Sequence, residues 1–285
     1  MLNQKQFILA AVNILSIWAA QSEAAHFHIK DLAKTVLHMD TLSDWTISTV
    51  LVSFGYVMSF LLTAGAFEYT NPKVKDEKRM AIIKLELQYG IGSLVWISIY
   101  ATTWLFLVDA HTPYYAYFAT HDYTFTWLLI NVAWYLFWMD TFFYWSHRLL
   151  HMTKPINLWF LVHRHHHQFV DPTAFGQDAV HPLEALLQGP VPHFLTFVFM
   201  PMHPLTASVL GFFTSIYAIA AHDGRRFDLN DHVKHHHYKN VNFGLYWGLW
   251  DYICGTRWSK QGHPDRIKFE WNYDGLAGDK IQKAE

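Results

Sequence analysis

Residues 124–151 read TFTWLLINVAWYLFWMDTFFYWSHRLLH, an apolar run that leads directly into a pair of histidines. Within 124–145 the only charged residue is Asp140, and the run has roughly the 20 residues that a helix needs to cross a bilayer. His147 and His151 are four positions apart, so a continuing helix presents both on one face. The stretch therefore predicts a membrane-spanning helix that ends in a metal-binding surface.

The composition of the whole chain agrees with a membrane protein. Of its 285 residues 52% are hydrophobic and 15% are charged, which is too apolar for an ordinary soluble domain. A net charge of −2 without a basic patch gives no support to nucleic-acid binding. Cys254 is the single cysteine, which excludes an intrachain disulfide and a thiolate metal cluster.

Two other runs of spanning length come earlier, at 47–67 and 87–108. A longer apolar stretch at 183–221 is interrupted by prolines and predicts a helical hairpin that turns near residues 200–204. The N-terminal run 7–20 fits either a signal peptide or an interfacial helix. We predict an all-α, multi-pass transmembrane bundle whose helical cytosolic cap holds a histidine-rich di-metal site.

The charges of the connecting loops predict the orientation of this bundle. The 68–86 loop contains four lysines and an arginine, whereas the 109–123 loop contains neither residue type. The positive-inside rule places the 68–86 loop in the cytosol. The span at 124–145 then returns to the cytosol and delivers His147 there, so we expect an active site on the cytosolic face.

Three histidine boxes dominate the second half of the chain: HRLLH at 147–151, HRHHH at 163–167 and HVKHH at 232–236. Neutral imidazole is the commonest side-chain ligand for transition metals, and eight donors suit two ions better than one. His165 and His237 fall outside the ligand spacing and are expected to point away. The predicted ligands are His147, His151, His163, His166, His167, His232, His235 and His236.

The predicted ligand types also exclude some classes of metal centre. Imidazoles without cysteine or clustered carboxylates argue against an iron–sulfur centre and against the glutamate-rich soluble di-iron type. A site at the end of a membrane bundle suggests dioxygen activation against a C–H bond of a lipid. A non-enzymatic metal transporter is the alternative from a different class, but it needs histidines at membrane depth. Asp140 is either an interfacial carboxylate or a group that orients a ligand imidazole.

The region 134–258 resembles the fatty acid hydroxylase/sterol desaturase superfamily. The resemblance rests on the boxes and on four further motifs: VHPLE at 180–184, HDG at 222–224, NVNFG at 240–244 and the pair WD and GT at 250–256. The segment from DPTAF at 171–175 through PMH at 201–203 to HDG at 222–224 is similar to the sterol C5-desaturases. LEA at 183–185 resembles the sterol C4-methyl oxidases instead, and HVKHH resembles the fatty acid 2-hydroxylases.

This resemblance implies that the eight box histidines bind two irons, with His222 as an additional ligand. His181 is either a further ligand or a neighbour of the ligands. Glu184, one helical turn beyond it, either fixes the tautomer of His181 or is a carboxylate that stabilises the N-terminus of a helix.

The implied activity is an O2-dependent, membrane-bound di-iron oxidoreductase of the endoplasmic reticulum, most simply one that forms the C5 double bond of a Δ7 sterol. Sterol C4-methyl oxidation and fatty acyl hydroxylation are the alternatives with the same site. The electrons come from NAD(P)H through an external cytochrome b5 type carrier, in agreement with the lack of a nucleotide-binding fingerprint here.

The chain is expected to divide into three parts: 1–124 as a membrane region, 125–260 as the catalytic domain and 261–285 as a polar tail.

Overall fold

The computed structural model describes residues 44–107, 114, 117–225 and 230–258, which contain helices and no strand. The predicted all-α class is confirmed. The expectations for the run 7–20 and for the tail 261–285 lie outside the described residues. The α-helices are α1 (Asp44–Thr70), α2 (Glu77–Leu107), α3 (Tyr117–Thr120), α4 (Phe125–Leu150), α5 (Arg164–His167), α6 (Pro182–Gln188), α7 (Pro190–Phe199), α8 (Pro204–His222), α9 (His232–Tyr238) and α10 (Leu249–Ile253).

Two long helices, α1 and α2, pack against each other as an antiparallel pair. Near one end the hydroxyl groups of Thr49 and Thr102 lie 2.7 Å apart. The outer face of α1 shows large apolar side chains at every fourth position, which is the spacing of one helical face. These exposed residues are Val50, Phe54, Met58 and Leu62. Such a face suits lipid rather than water.

Three helices are long and apolar enough to cross a membrane: α1, residues Glu77–Trp104 of α2, and α8. The first two are the predicted spans at 47–67 and 87–108. The predicted span at 124–145 does form a helix, α4, but α4 is not one of the three. Its sequence is less apolar than theirs and includes the fully buried Asn131 and the buried Asp140.

A capping residue before the first turn of α4 and a proline after its last turn account for its two ends. The side chain of Thr124 accepts a hydrogen bond from the backbone N–H of Trp127 at 3.3 Å and caps the first turn. The helix ends at Leu150, and Pro155, five residues further on, cannot continue it. The first histidine box therefore lies in and just after the last turn of α4.

The stretch 183–221 folds as the expected helical hairpin, with the turn at residues 200–203 between α7 and α8. Its helices α6, α7 and α8 each begin with a proline, which needs no N–H partner in a first turn. Asn131 of α4 holds the turn, because its amide donates to the carbonyl of Pro201 at 2.7 Å and accepts from the N–H of His203 at 3.1 Å.

Two of the three apolar clusters among the described residues join the long helices. One is formed by α1, α2, α8 and a 3₁₀ turn at Ala174–Gly176, and Phe60 and Phe175 meet edge to face in it at 5.8 Å. The other joins α4, α7 and α8 with the loop that contains Leu245 and Tyr246. The helix α8 therefore lies between the α1–α2 pair and α4.

A buried polar network fixes the end of the bundle at which α1 stops and α2 starts. Arg79 donates to both carboxylate oxygens of Glu68, at 2.7 and 2.6 Å. The amide of Asn71 donates to the side chain of Asp223 at 2.7 Å and to its backbone carbonyl at 2.8 Å. Since Asp223 follows the last residue of α8, His222, this network sets the position of that histidine.

Replacing Arg79 by alanine is expected to lower the free energy of unfolding by up to about 3–5 kcal/mol, because the buried carboxylate of Glu68 loses both hydrogen bonds from Arg79 and keeps only the more distant Lys75, at 3.6 Å. Thermal unfolding of the purified protein in detergent measures the loss. The matched control is Lys78→Ala, since Lys78 is the exposed neighbour. Equal unfolding temperatures for the two variants would contradict the importance of this ion pair.

Candidate metal centre

The histidine boxes converge from four separate parts of the chain. The end of α4 contributes His147 and His151. A π-helical turn, Trp159–His163, runs straight into the short helix α5 and carries the second box. The third box occupies α9, and His222 ends α8. All nine histidines are buried: His147, His151, His163, His166, His167, His222, His232, His235 and His236.

These nine residues form two compact groups. In each group, one ring nitrogen of every member lies within 4.8 Å of those of the other members. The five-histidine group is His147, His151, His163, His167 and His235, and the four-histidine group is His166, His222, His232 and His236. The groups adjoin, since the ring centroids of His167 and His236 are 5.0 Å apart.

Backbone carbonyls determine the tautomers of several rings. Nδ1 of His147 lies 3.0 Å from the carbonyl oxygen of Phe243. Nδ1 of His235 lies 2.6 Å from the carbonyl oxygen of Val241, and Nδ1 of His222 lies 2.7 Å from that of Ala218. A carbonyl only accepts hydrogen bonds, so each Nδ1 carries the proton. The lone pair of each ring is therefore on Nε2.

The Nε2 atoms so defined face other Nε2 atoms at short distance. Nε2 of His147 lies 3.0 Å from Nε2 of His163, and Nε2 of His235 lies 3.0 Å from that of His167. Across the four-histidine group, Nε2 of His222 lies 3.3 Å from that of His166. Where neither Nε2 of such a pair carries a proton, the two lone pairs repel unless a cation lies between them.

A proton does not supply that cation at neutral pH. Burial lowers the pKa of His163 to about 3, and burial together with the neighbouring imidazoles lowers the pKa of His236 well below its ordinary value. Neither ring nitrogen of His236 has a hydrogen-bond partner among the described residues. Buried neutral imidazoles with converging lone pairs fit one metal ion in each group.

Glu184 contacts His163 of the five-histidine group on the side of the ring opposite to Nε2. Its side chain is fully buried in α6, and its Oε1 lies 2.8 Å from Nδ1 of His163. A carboxylate beside Nδ1 favours the proton on that nitrogen and leaves Nε2 for a metal. The expectation that Glu184 acts on His181 is therefore wrong, because the carboxylate faces a different histidine.

His181 lies outside both groups. Its Nδ1 accepts a hydrogen bond from the N–H of Leu183 at 3.1 Å, so it caps the N-terminus of α6. Its ring stacks on His165 at 6.2 Å. His165 is absent from both groups, and the exposed His237 lies 3.1 Å from Asp171, so both point away as expected.

Asp140 does not contact an imidazole directly. It is 1% exposed, and its Oδ1 accepts from the N–H groups of Leu245 and Tyr246 at 3.1 and 2.9 Å. It anchors the loop that follows the third box. The carbonyl of Phe243 in that loop orients His147, so the influence of Asp140 on the site is indirect.

Sequence reasoning gave no role to Asp251, which organises the same loop. Its carboxylate accepts from the N–H groups of Phe243 at 2.8 Å and Gly244 at 2.7 Å, and from the hydroxyl of Thr256 at 2.7 Å. The sequence signal was the WD and GT pair at 250–256, whose Asp and Thr bond to each other. These bonds fix the carbonyl that orients His147.

An elongated cavity of about 230 Å³ opens onto both groups. Histidines from each group line one end, including His147 and His222, and Tyr135 and His193 line the other. Tyr135 and His147 are twelve residues apart on α4, which corresponds to about 18 Å along the helix axis. The walls between the ends are mostly apolar and include Leu94, Ile97, Met139, Phe143, Phe194 and Phe212.

Comparison with known proteins agrees with this geometry. A model of the fatty acid hydroxylase family matches residues 132–256. Lathosterol oxidase of Rattus norvegicus is 33% identical over 234 residues, which are 76% of this chain and 77% of that protein. The chain belongs to the fatty acid hydroxylase/sterol desaturase superfamily. The resemblance drawn from the histidine boxes is thereby confirmed.

Other members of the superfamily give the same picture. Lathosterol oxidase of Mus musculus is 30% identical over 234 residues, with 76% and 77% of the two chains covered. The Delta(7)-sterol 5(6)-desaturase of Eremothecium gossypii is 26% identical over 242 residues, which are 81% of this chain and 64% of the fungal protein. The match thus spans just under two thirds of that relative. No solved structure matches the chain.

Three consecutive histidines of this superfamily member provide a matched test of the two groups. We expect His235→Ala to lose the metal of the five-histidine group and His236→Ala to lose that of the four-histidine group, since each removes a buried donor. His237→Ala is the control, because that exposed ring belongs to neither group. The metal content per purified chain, measured by plasma mass spectrometry, tests this assignment. Equal metal content in all three variants would refute the assignment.

Proposed function

We propose that this protein is a sterol C5-desaturase that introduces the C5 double bond into a Δ7 sterol. The observation that carries the proposal is the opening of two buried imidazole groups into one long apolar cavity. The names of the rat, mouse and fungal relatives supply the substrate class. An extended, largely apolar cavity is the shape expected for a sterol.

We propose iron as the metal of both groups, with the nine converging histidines as ligands and His181 excluded. Imidazole donors suit iron, and the family relationship favours it over zinc or copper. Two irons bound here supply the activation of dioxygen that oxidation of an unactivated C–H bond requires. The reaction balances when the sterol loses two hydrogens and dioxygen takes four electrons, two of them from an external donor, to give two waters.

The residues of the chain have three tasks in this reaction. The carbonyls and Glu184 behind the rings keep the donor nitrogens aimed inward. The apolar walls, such as Met139, Phe143 and Phe212, hold the sterol and keep water away from the reacting carbons. The depth of the cavity limits which carbons reach the histidines. Placement of the substrate in this way decides between desaturation and hydroxylation.

We propose that the site faces the cytosol and that the protein resides in the endoplasmic reticulum. The residues Lys73, Lys75 and Lys78 lie in or next to the segment joining α1 to α2. That segment is at the same end of the bundle as His222, because Asn71 bonds to Asp223. The positive-inside rule then places the lysines, and with them the two histidine groups, on the cytosolic side of the membrane. An external cytochrome b5 type carrier reduced by NAD(P)H can reach the site from there.

We also retain the division of the chain into 1–124, 125–260 and 261–285 as part of the proposal. All nine histidines fall in the second segment. The helices α1 and α2 nonetheless contribute walls of the cavity, through residues such as Phe60 and Leu94. We therefore regard the first segment as part of the substrate site as well as the membrane region.

Expression in a yeast strain that lacks its own C5-desaturase tests the proposal. The full chain should restore 5,7-unsaturated sterols, as measured by mass spectrometry of the extracted sterols. His235→Ala should restore none, and His237→Ala should match the wild type. A well-expressed, iron-loaded chain that forms no 5,7-unsaturated sterol would refute C5 desaturation. New C4-demethylated sterols or hydroxylated acyl chains in that strain would identify the alternative activity.

A further inference from the structure

Among the polar residues that line the cavity, two clusters lie at different distances from the metal groups. At the far end, the hydroxyl of Tyr135 and Nδ1 of His193 are 2.9 Å apart. The second cluster is Gln177 and Asp178, in the loop between the 3₁₀ turn and α6. Asp178 immediately precedes Ala179, whose carbonyl lies 3.4 Å from Nδ1 of His166. This cluster is therefore next to the four-histidine group.

Asp178 is a buried acid whose carboxyl group makes few contacts with the described residues. It is 5% exposed, and its described side-chain contact is the amide of Gln177, which donates to Oδ1 at 3.2 Å. Burial raises the pKa of its carboxyl group to about 7. The amide oxygen of Gln177 is also buried and has no hydrogen-bond partner among the described residues. Buried polar atoms in a cavity wall are costly unless a ligand bonds to them.

The loop that carries these two side chains is firmly held. The backbone N–H of Thr173 donates to Glu86 of α2 at 2.9 Å, and the hydroxyl of Thr173 bonds to the same carboxylate. Ser93 of α2 donates to the carbonyl of Val180 at 2.7 Å. Asp178 lies between these attachments, so its position relative to the cavity is set before any substrate binds.

The chemistry of the proposed function identifies what this cluster would bind. In a 3-hydroxysterol, C5 and C6 are two and three bonds from the carbon that bears the hydroxyl group. When those carbons face the metal groups, the hydroxyl must also lie at that end of the cavity. Tyr135 is about 18 Å along α4 from His147 and is too far away. Gln177 and Asp178 are at the required end.

We propose that Asp178, together with Gln177, binds the 3-hydroxyl group of the sterol and thereby selects C5 and C6 for reaction. The hydroxyl donates either to the carboxylate of Asp178 or to the unpaired amide oxygen of Gln177. This inference rests on the proposed function. It assigns substrate orientation to a loop outside the histidine boxes.

The test compares two substrates, a Δ7 sterol with a 3-hydroxyl group and its 3-deoxy analogue, with the full-length iron-loaded protein and its electron donor. The wild type should prefer the hydroxysterol. Asp178→Leu should lower kcat/KM for the hydroxysterol by roughly tenfold, the effect of losing one hydrogen bond to a charged group, and should leave the deoxysterol unaffected. Asp178→Asn, which can still bond to a hydroxyl, should retain the preference.

Two controls separate this role from the alternatives. Removing a buried carboxylate that serves no structural purpose should not lower the unfolding temperature, so a destabilised Asp178→Leu variant would indicate a structural role and overturn the proposal. Tyr135→Phe alters the far cluster and should leave the preference for the hydroxysterol intact. Loss of the preference in Tyr135→Phe, or its persistence in Asp178→Leu, would also overturn it.

Failure of the proposed function gives a different result. In that case the wild type converts neither sterol. The preference can then be measured as binding, from the shift in unfolding temperature that each sterol causes in the wild type and in Asp178→Leu. A preference for the hydroxysterol that Asp178→Leu abolishes supports the hydroxyl site. Equal shifts by the two sterols in the wild type would refute it.

Discussion

The repulsion between facing imidazole lone pairs is the constraint on which the structure depends. Burial lowers the pKa of the eight box histidines, which favours their neutral forms. Several of the nine buried histidines direct Nε2 at one another from about 3 Å. Such a cluster is unfavourable by itself and becomes favourable around cations. The bundle brings α4, α5, α8 and α9 to one point. Binding of a metal ion in each group would remove this repulsion and stabilise the fold.

The groups behind the imidazoles make the convergence specific. Carbonyls of Phe243, Val241 and Ala218 each orient one ring. Asp251 and Asp140 hold the loop that carries the first of these, through bonds to its backbone N–H groups. Buried carboxylates therefore position the converging histidines through the backbone. This arrangement explains acids that lie close to the site without being ligands.

The sequence predicted the parts that depend on local spacing. The apolar runs predicted the helices, the prolines predicted the hairpin turn, and the three- and four-residue spacing of the boxes predicted which rings share a face. The roles of His181, Glu184 and Asp140 required tertiary structure. Each lies on a helix or at its end, and the direction of its side chain depends on how α4, α6 and the loop after α9 pack. Asp178 was missed because a lone acid in a loop has no periodicity.

X-ray absorption at the iron edge, combined with metal analysis, tests the central claim most directly when applied to the full chain purified in detergent. The account predicts two irons per chain, both with a first shell dominated by imidazole nitrogen and without sulfur. A single iron per chain, or a shell of sulfur or mostly carboxylate oxygen, would contradict the assignment of one metal to each histidine group.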